Sequence, residues 1–176
     1  DQKPMREMER ELVRRVDVVV AVSETLREKM NRLGAESKLL THGIDLDHWQ
    51  GNGDTSAIPQ LERLERPLIV FWGVVDRRMD VQFLQQLGAD LTRGTIVLVG
   101  PESDPDPALC SIPRVVRVSS IPYEELPRLA NHASVLIMPY ADLPVTRAMQ
   151  PLKLKEYLAT GKPTVARYLP SVKPWI

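Results

Sequence analysis

Arg77, Arg78, Lys153 and Glu156 are the side chains of this sequence best suited to chemistry. Adjacent guanidinium groups at Arg77 and Arg78 can clamp a diphosphate, because each fork matches phosphate oxygens in a bidentate way. Glu156 can accept hydrogen bonds from a ribose diol. Lys153 can add positive charge next to phosphate. Thr146, and the first-turn backbone of a helix opening at Pro151-Leu152-Lys153, can bind sugar hydroxyls or phosphate. Each residue also has an ordinary role open to it. The arginines fit a solvated charged loop, Glu156 an exposed acid paired with Lys153 or Lys155, Lys153 an exposed helix lysine, and Thr146 a simple cap. His42 fits a turn, His48 and His132 fit a surface, and Trp49 and Trp72 fit packing. No metal-ligand spacing, no Gly-x-Ser-x-Gly and no Cys/His nucleophile pattern occurs, and Gly100-Pro101 alone makes no dinucleotide fingerprint.

The elements that must hold these groups are legible around them. Gln150 to Ala166 (QPLKLKEYLATGKPTVA) reads as a short helix opened by Pro151, closed by Gly161 and followed by a buried strand at Thr164–Ala166. Ahead of it lies a polar loop, Ala141 to Gln150, which follows the apolar run Val135 to Pro139. Further strands are expected at Val16–Val22, Ser37–Leu40, Leu68–Gly73, Thr95–Gly100 and Val115–Ser119. Helices are expected at Met5–Arg15, from a Ser23 cap to about Leu33, at Met79–Leu91 and at Glu124–Asn131. From Thr41 to Arg66 the pattern fades, broken by Gly43, Gly51, Gly53, Asp54 and Pro59.

Strands alternating with helices predict an α/β fold, a Rossmann-like doubly wound parallel sheet. Ligands in such sheets bind beyond the carboxyl ends of the strands. Three loops there carry candidates: Gly73 to Arg78, Ser119-Ser120-Ile121-Pro122, and Tyr140 to Gln150.

Composition narrows the classes. The 176 residues hold 23 basic and 23 acidic side chains, so the basic excess of a nucleic-acid or membrane-surface binder is missing. Hydrophobic content of 43% suffices for a core. The single cysteine, Cys110, makes no internal disulfide and suits a reducing, cytoplasmic setting. No apolar run approaches a membrane span. Asp1 and Ile176 read as cut ends rather than natural ones.

In order, VDVVVAVSETLREKM, THGIDLDHW, PLIVFWG, IVLVGP, IPYEELPRLANHASVLIMPY and PLKLKEYLATGKPTVA resemble a retaining nucleotide-sugar glycosyltransferase of the GT-B fold. The resemblance implies two Rossmann-like domains with the active site between them. Residues 1–45 would be a remnant of the acceptor-binding domain, 46–66 a linker and 67–176 a truncated nucleotide-sugar-binding domain. THGID matches the family's Asn-Gly-Val-Asp junction with His42 in place of asparagine. Of the family's two glutamates, the ribose-binding one matches Glu156. The sugar-contacting one falls at Ala148 and is absent, with Asp142 or Thr146 as substitutes. Thr146 to Lys153 resembles the Thr-Arg-Ala-x-x-Pro-Leu-Lys pattern of a polysaccharide-type branch. Arg77 and Arg78 stand near the family's diphosphate-neutralising cations, without the usual spacing to a following lysine.

The resemblance implies sugar transfer from a nucleotide-diphosphate sugar to the hydroxyl of a saccharide or lipid-linked acceptor. Arg77 and Arg78 would be catalytic, with Glu156, Thr146, Pro151, Leu152, Lys153, Ser120 and Gly73 binding the donor. No metal or other cofactor is expected, and the intact protein would be cytoplasmic, peripheral at a membrane where the acceptor is lipid-linked. The alternatives are a nucleotide-sugar epimerase of the same fold and a non-catalytic nucleotide- or carbohydrate-binding domain.

Overall fold

The computed structural model describes residues 3–50 and 53–175. Gly51, one of the expected pattern breakers, and the ends Asp1 and Ile176 lie outside them. The chain runs α1 (Lys3–Arg15), β1 (Val19–Ala21), α2 (Glu24–Arg32), β2 (Ser37–Leu39) and α3 (Leu46–Gln50). It continues with β3 (Leu68–Trp72), β4 (Val75–Asp76), α4 (Val81–Asp90), β5 (Thr95–Val99), β6 (Glu102–Ser103) and β7 (Val115–Val118). The last elements are α5 (Leu126–His132), β8 (Val135–Met138), α6 (Pro144–Ala148), α7 (Leu152–Ala159) and β9 (Thr164–Ala166).

Two compact units share the chain. One gathers the residues up to Gly43 with Pro144–Leu152 and the stretch from Tyr168 onward; the other holds Ile44–Leu143 and Lys153–Arg167. In the first unit, β1 and β2 pair in parallel. Ser23 caps α2 by accepting from the Leu26 N–H at 3.2 Å, as its place before the helix predicts. Its hydroxyl also donates to the Ala148 carbonyl, which ties α2 to α6. The VDVVVAV run forms a shorter strand than expected, and Val16, Val18 and Val20 are exposed. A β-branched run specifies extended backbone but not what covers it.

The second unit is built on a five-stranded parallel sheet in the order β7-β5-β3-β8-β9. Every residue of β3 and β5 is buried, as expected for central strands covered on both faces. The chain builds outward from β3 through β5 to β7, then returns to the other side of β3 with β8 and β9. The direction therefore reverses between β3 and β8, and there the connections diverge and leave a crevice.

Other stretches also differ from the sequence expectations. Thr41 to Arg66 is not featureless, because α3 and a single 3-10 turn at Pro59–Leu61 bury Trp49, Ile58 and Leu61. Elements of three to five residues are too short to display a period. The loop Ala141 to Gln150 contains α6, equally short. Helix α4 starts at Val81, since Asp80 caps it by accepting from the Phe83 N–H at 3.0 Å and Met79 bridges to Tyr140 instead.

Candidate functional site

The carboxyl ends of the parallel strands lie along one edge of the sheet, and the loops leaving β3, β5 and β8 are tied to one another there. Gly73 N–H donates to the Val99 carbonyl at 2.8 Å, and Val75 N–H to the Pro101 carbonyl at 2.9 Å. On the other side, Asp80 N–H donates to the Pro139 carbonyl at 2.7 Å and Ala141 N–H to the Arg78 carbonyl at 2.7 Å. Two glycines permit this crowding. Gly73 (φ +134) and Gly100 (φ +144) adopt backbone that L side chains rarely take. A Cβ on Gly100 would stand 2.1 Å from the Gly73 carbonyl oxygen, so no larger residue fits.

Helix α7 brings one face to the same edge. Lys153, Glu156 and Tyr157 recur at helical spacing and share one side of the helix. Pro151, immediately ahead of the helix, is buried, and Leu152 is exposed. The Lys153 ammonium lies against Gly73, 2.4 Å from where a Cβ on that glycine would sit, and 5.4 Å from the centroid of the Phe71 ring. Among the described residues no hydrogen bond to this ammonium is found. Burial lowers its pKa below the ordinary lysine value of 10.5; Glu156 opposes that shift and Arg78 adds to it.

Glu156 is not an exposed helix acid. It is 8% exposed, and its Oε2 accepts from the Trp72 indole N–H at 3.1 Å. Trp72, expected only to pack, thus also bonds to the buried Glu156 carboxylate. It stacks on Trp49 with ring centroids 5.6 Å apart, and Tyr157 meets it edge-on at 4.3 Å. The Tyr157 hydroxyl accepts from the Trp72 backbone N–H at 3.2 Å. No spacing rule pairs a strand-end tryptophan with an acid 84 residues later in the chain.

The two arginines are engaged by acids. Arg77 is exposed and donates two hydrogen bonds to Asp104, at 3.1 and 3.2 Å. Arg78 pairs with Asp76 at 2.7 Å and lies 5.5 Å from the Tyr140 ring centroid. Burial works to raise the Asp76 pKa, but the hydrogen bonds from Arg78 outweigh it and hold the carboxyl below its usual range. Tyr140 is buried, which pushes its hydroxyl up to about 12.

Ser120 is exposed just past β7, two strands from β3 and so about 10 Å from the crevice at the usual strand spacing. Thr146, on α6, is fully buried in the first unit. His48 is half-buried and stacks on Tyr123 at 4.4 Å, while His132 Nε2 lies 2.9 Å from the Ser56 carbonyl. His48 also meets Trp49 edge-on at 4.9 Å and so joins the aromatic cluster around Trp72 rather than the surface expected of it.

The second unit thus gathers Lys153, Arg78 and Glu156 with Gly73 at the sheet's switch point. A cation in want of an acceptor beside a fixed carboxylate suits a ligand carrying both phosphate and hydroxyl groups.

No family model matches the chain. Over 186 aligned residues the chain is 24% identical to the putative teichuronic acid biosynthesis glycosyltransferase TuaH of Bacillus subtilis (strain 168), a match covering 99% of this chain and 47% of the relative. Among solved structures, sucrose-phosphate synthase from Thermosynechococcus elongatus superposes with a TM-score of 0.74 at 21% identity, covering 98% of this chain and 46% of that one. Anabaena HepE, solved with UDP and glucose, superposes with a TM-score of 0.80 at 15% identity, covering 100% of this chain and 51% of that one. The chain spans about half the length of these relatives and shares the GT-B glycosyltransferase fold.

Proposed function

We propose that this chain is the nucleotide-sugar-binding part of a retaining glycosyltransferase, and that α7 and the loop after β3 hold the donor. One observation carries the reading: the Lys153 ammonium and the Glu156 carboxylate are both fixed on one face of α7 at the sheet's switch point. In this reading Glu156 accepts from the ribose hydroxyls. Lys153 faces the diphosphate, with the close approach at Gly73 allowing it to reach, and the α7 N-terminus at Pro151 and Leu152 adds its partial positive charge. Arg78 and Arg77 supply further cationic charge. Ser120, just past β7, is proposed as a further donor contact.

Mechanism follows from charge. As the glycosidic bond to the diphosphate breaks, negative charge grows on the leaving phosphate oxygens. Preorganised cations lower the barrier by meeting charge where it develops. We propose that Lys153 and the arginines do this without a metal ion. A saccharide or lipid-linked hydroxyl completes the transfer, with contacts outside the residues described here. Among the described residues no helix is long and apolar enough to cross a membrane. HepE was solved with UDP, which supports a nucleoside diphosphate as the ligand.

Calorimetric titration of the chain with UDP, GDP and ADP, repeated on Glu156→Ala, tests the reading. Selective binding lost in the variant is expected; binding of all three unchanged by the variant would overturn it. The isolated chain is expected to bind without turning over, so sugar transfer by it to any acceptor contradicts that part. A non-catalytic binding domain is separated by the intact parent, whose transferase activity should disappear with Glu156→Ala.

A further inference from the structure

We infer that Trp72 is a positioning residue for the ribose-binding carboxylate: its indole N–H fixes one oxygen of Glu156 so that the other is presented to the ribose diol of a bound nucleoside diphosphate. This rests on the assignment of Glu156 to ribose and adds a residue that acts through it.

The argument begins with the cost of burial. A carboxylate that is 8% exposed loses most of its water and needs hydrogen bonds in return. The Trp72 indole supplies one to Oε2 at 3.1 Å. An indole nitrogen is donor only, so the direction of this bond is fixed. The carboxylate cannot turn away to satisfy itself elsewhere without leaving Trp72, itself 3% exposed, without an acceptor.

The indole cannot move either, because four constraints meet on it. The Trp49 ring lies parallel to it, at 6° and 5.6 Å. Tyr157 meets it edge-on, at 75° and 4.3 Å. The Trp72 backbone N–H is held by the Tyr157 hydroxyl at 3.2 Å. Trp72 also ends β3, whose pairing with β5 sets its backbone in register with Val99. A flexible donor such as lysine or glutamine would cost side-chain entropy to hold in one geometry, and a clamped indole has already lost it.

A purely structural tryptophan would affect stability, or affinity for every ligand alike. A positioning tryptophan must affect discrimination at the ribose. The test is titration of the wild-type chain and of Trp72→Phe with UDP, GDP and ADP and with their 2′,3′-dideoxy counterparts, which lack both hydroxyls. Wild type is expected to prefer the ribose form of its cognate diphosphate about tenfold or more, the range of a hydrogen bond to a charged group. Trp72→Phe keeps an aromatic ring and removes the donor, and its preference is expected to fall toward unity. Trp49→Phe keeps the donor and should retain most of the preference.

A second measurement needs no folded variant. The Trp72 indole N–H resonance of the wild type should move on adding the ribose form and much less on adding the dideoxy form at equal saturation. Equal movement with both, or an undiminished ribose preference in Trp72→Phe, overturns the positioning role while leaving the ribose assignment standing. Wild type that binds its diphosphate without ribose preference, or binds none of the three, overturns the assignment and the positioning role together.

Discussion

Lys153 is held where a lysine is least comfortable, and that discomfort is measurable. Its ammonium faces an aromatic ring and a glycine backbone, and burial lowers its pKa below 10.5. The folded chain therefore binds this proton less tightly than the unfolded chain. Stability should rise with pH from the lowered folded value up to 10.5, because the unfolded state holds more protons across that window. Lys153→Met should flatten this rise and raise the melting temperature at neutral pH, while weakening diphosphate binding about tenfold or more. Thermal melts across pH and titration with the cognate diphosphate check both halves; a variant both less stable and fully competent to bind would contradict the assignment. Affinity should decline with rising pH earlier than an ordinary lysine would require. Lys153→Arg, whose guanidinium keeps its proton, should lose that decline if it binds at all. Glu156 was legible as a candidate ribose-binding acid from its place on α7. Its bond to Trp72 was not, because the partners are far apart in the chain and no periodicity links them.

The loops after β3 and β5 are the elements on which the site depends. Gly73 and Gly100 let two backbones approach within distances no side chain allows. The consequences of filling them differ. A Cβ at Gly73 meets the end of a flexible lysine, so Gly73→Ala should cost about 1–3 kcal/mol from backbone strain and displace Lys153, with loss of diphosphate affinity. A Cβ at Gly100 meets backbone oxygen that cannot yield, so Gly100→Ala should cost about 3 kcal/mol or more. Urea melts of both variants test the order; a Gly100→Ala chain as stable as Gly73→Ala would mean the loops are not locked together. The expected helix at Met79–Leu91 and the strands around it were readable from period and composition. The lock between their loops was not, because glycine in a sequence signals a turn without naming what passes beside it.

Across the whole molecule the two units differ in how well they are closed. The second has a five-stranded sheet in which β3 and β5 are buried throughout, while β1 and β2 make a sheet of two. In the first unit Met5, Met8, Leu12, Val16, Val18 and Val20 are exposed around a groove of about 700 Å³. A two-stranded sheet is marginal in water, and parallel strands favour cover on both faces. Hydrogen exchange should therefore find the amides of Val19–Ala21 opening well before those of Leu68–Trp72 and Thr95–Val99. Equal protection in the two sets would show that the first unit is stabilised by something beyond its own core.

The sequence by itself determined the alternation of strands and helices, the cap at Ser23, the α7 helix with Lys153 and Glu156 on it, and through these the α/β class. Those features are local: they follow from period, cap chemistry and strand propensity within a dozen residues. Tertiary structure decided the strand order that puts the crevice between β3 and β8, the approach of Lys153 to Gly73, and the packing of Trp49 and Tyr157 on Trp72, which bonds to Glu156. It also decided that α3 and α6, too short to show a period, would become elements at all. These depend on which distant segments meet, and contacts between distant segments are set by the packing of the whole sheet rather than by any stretch of it.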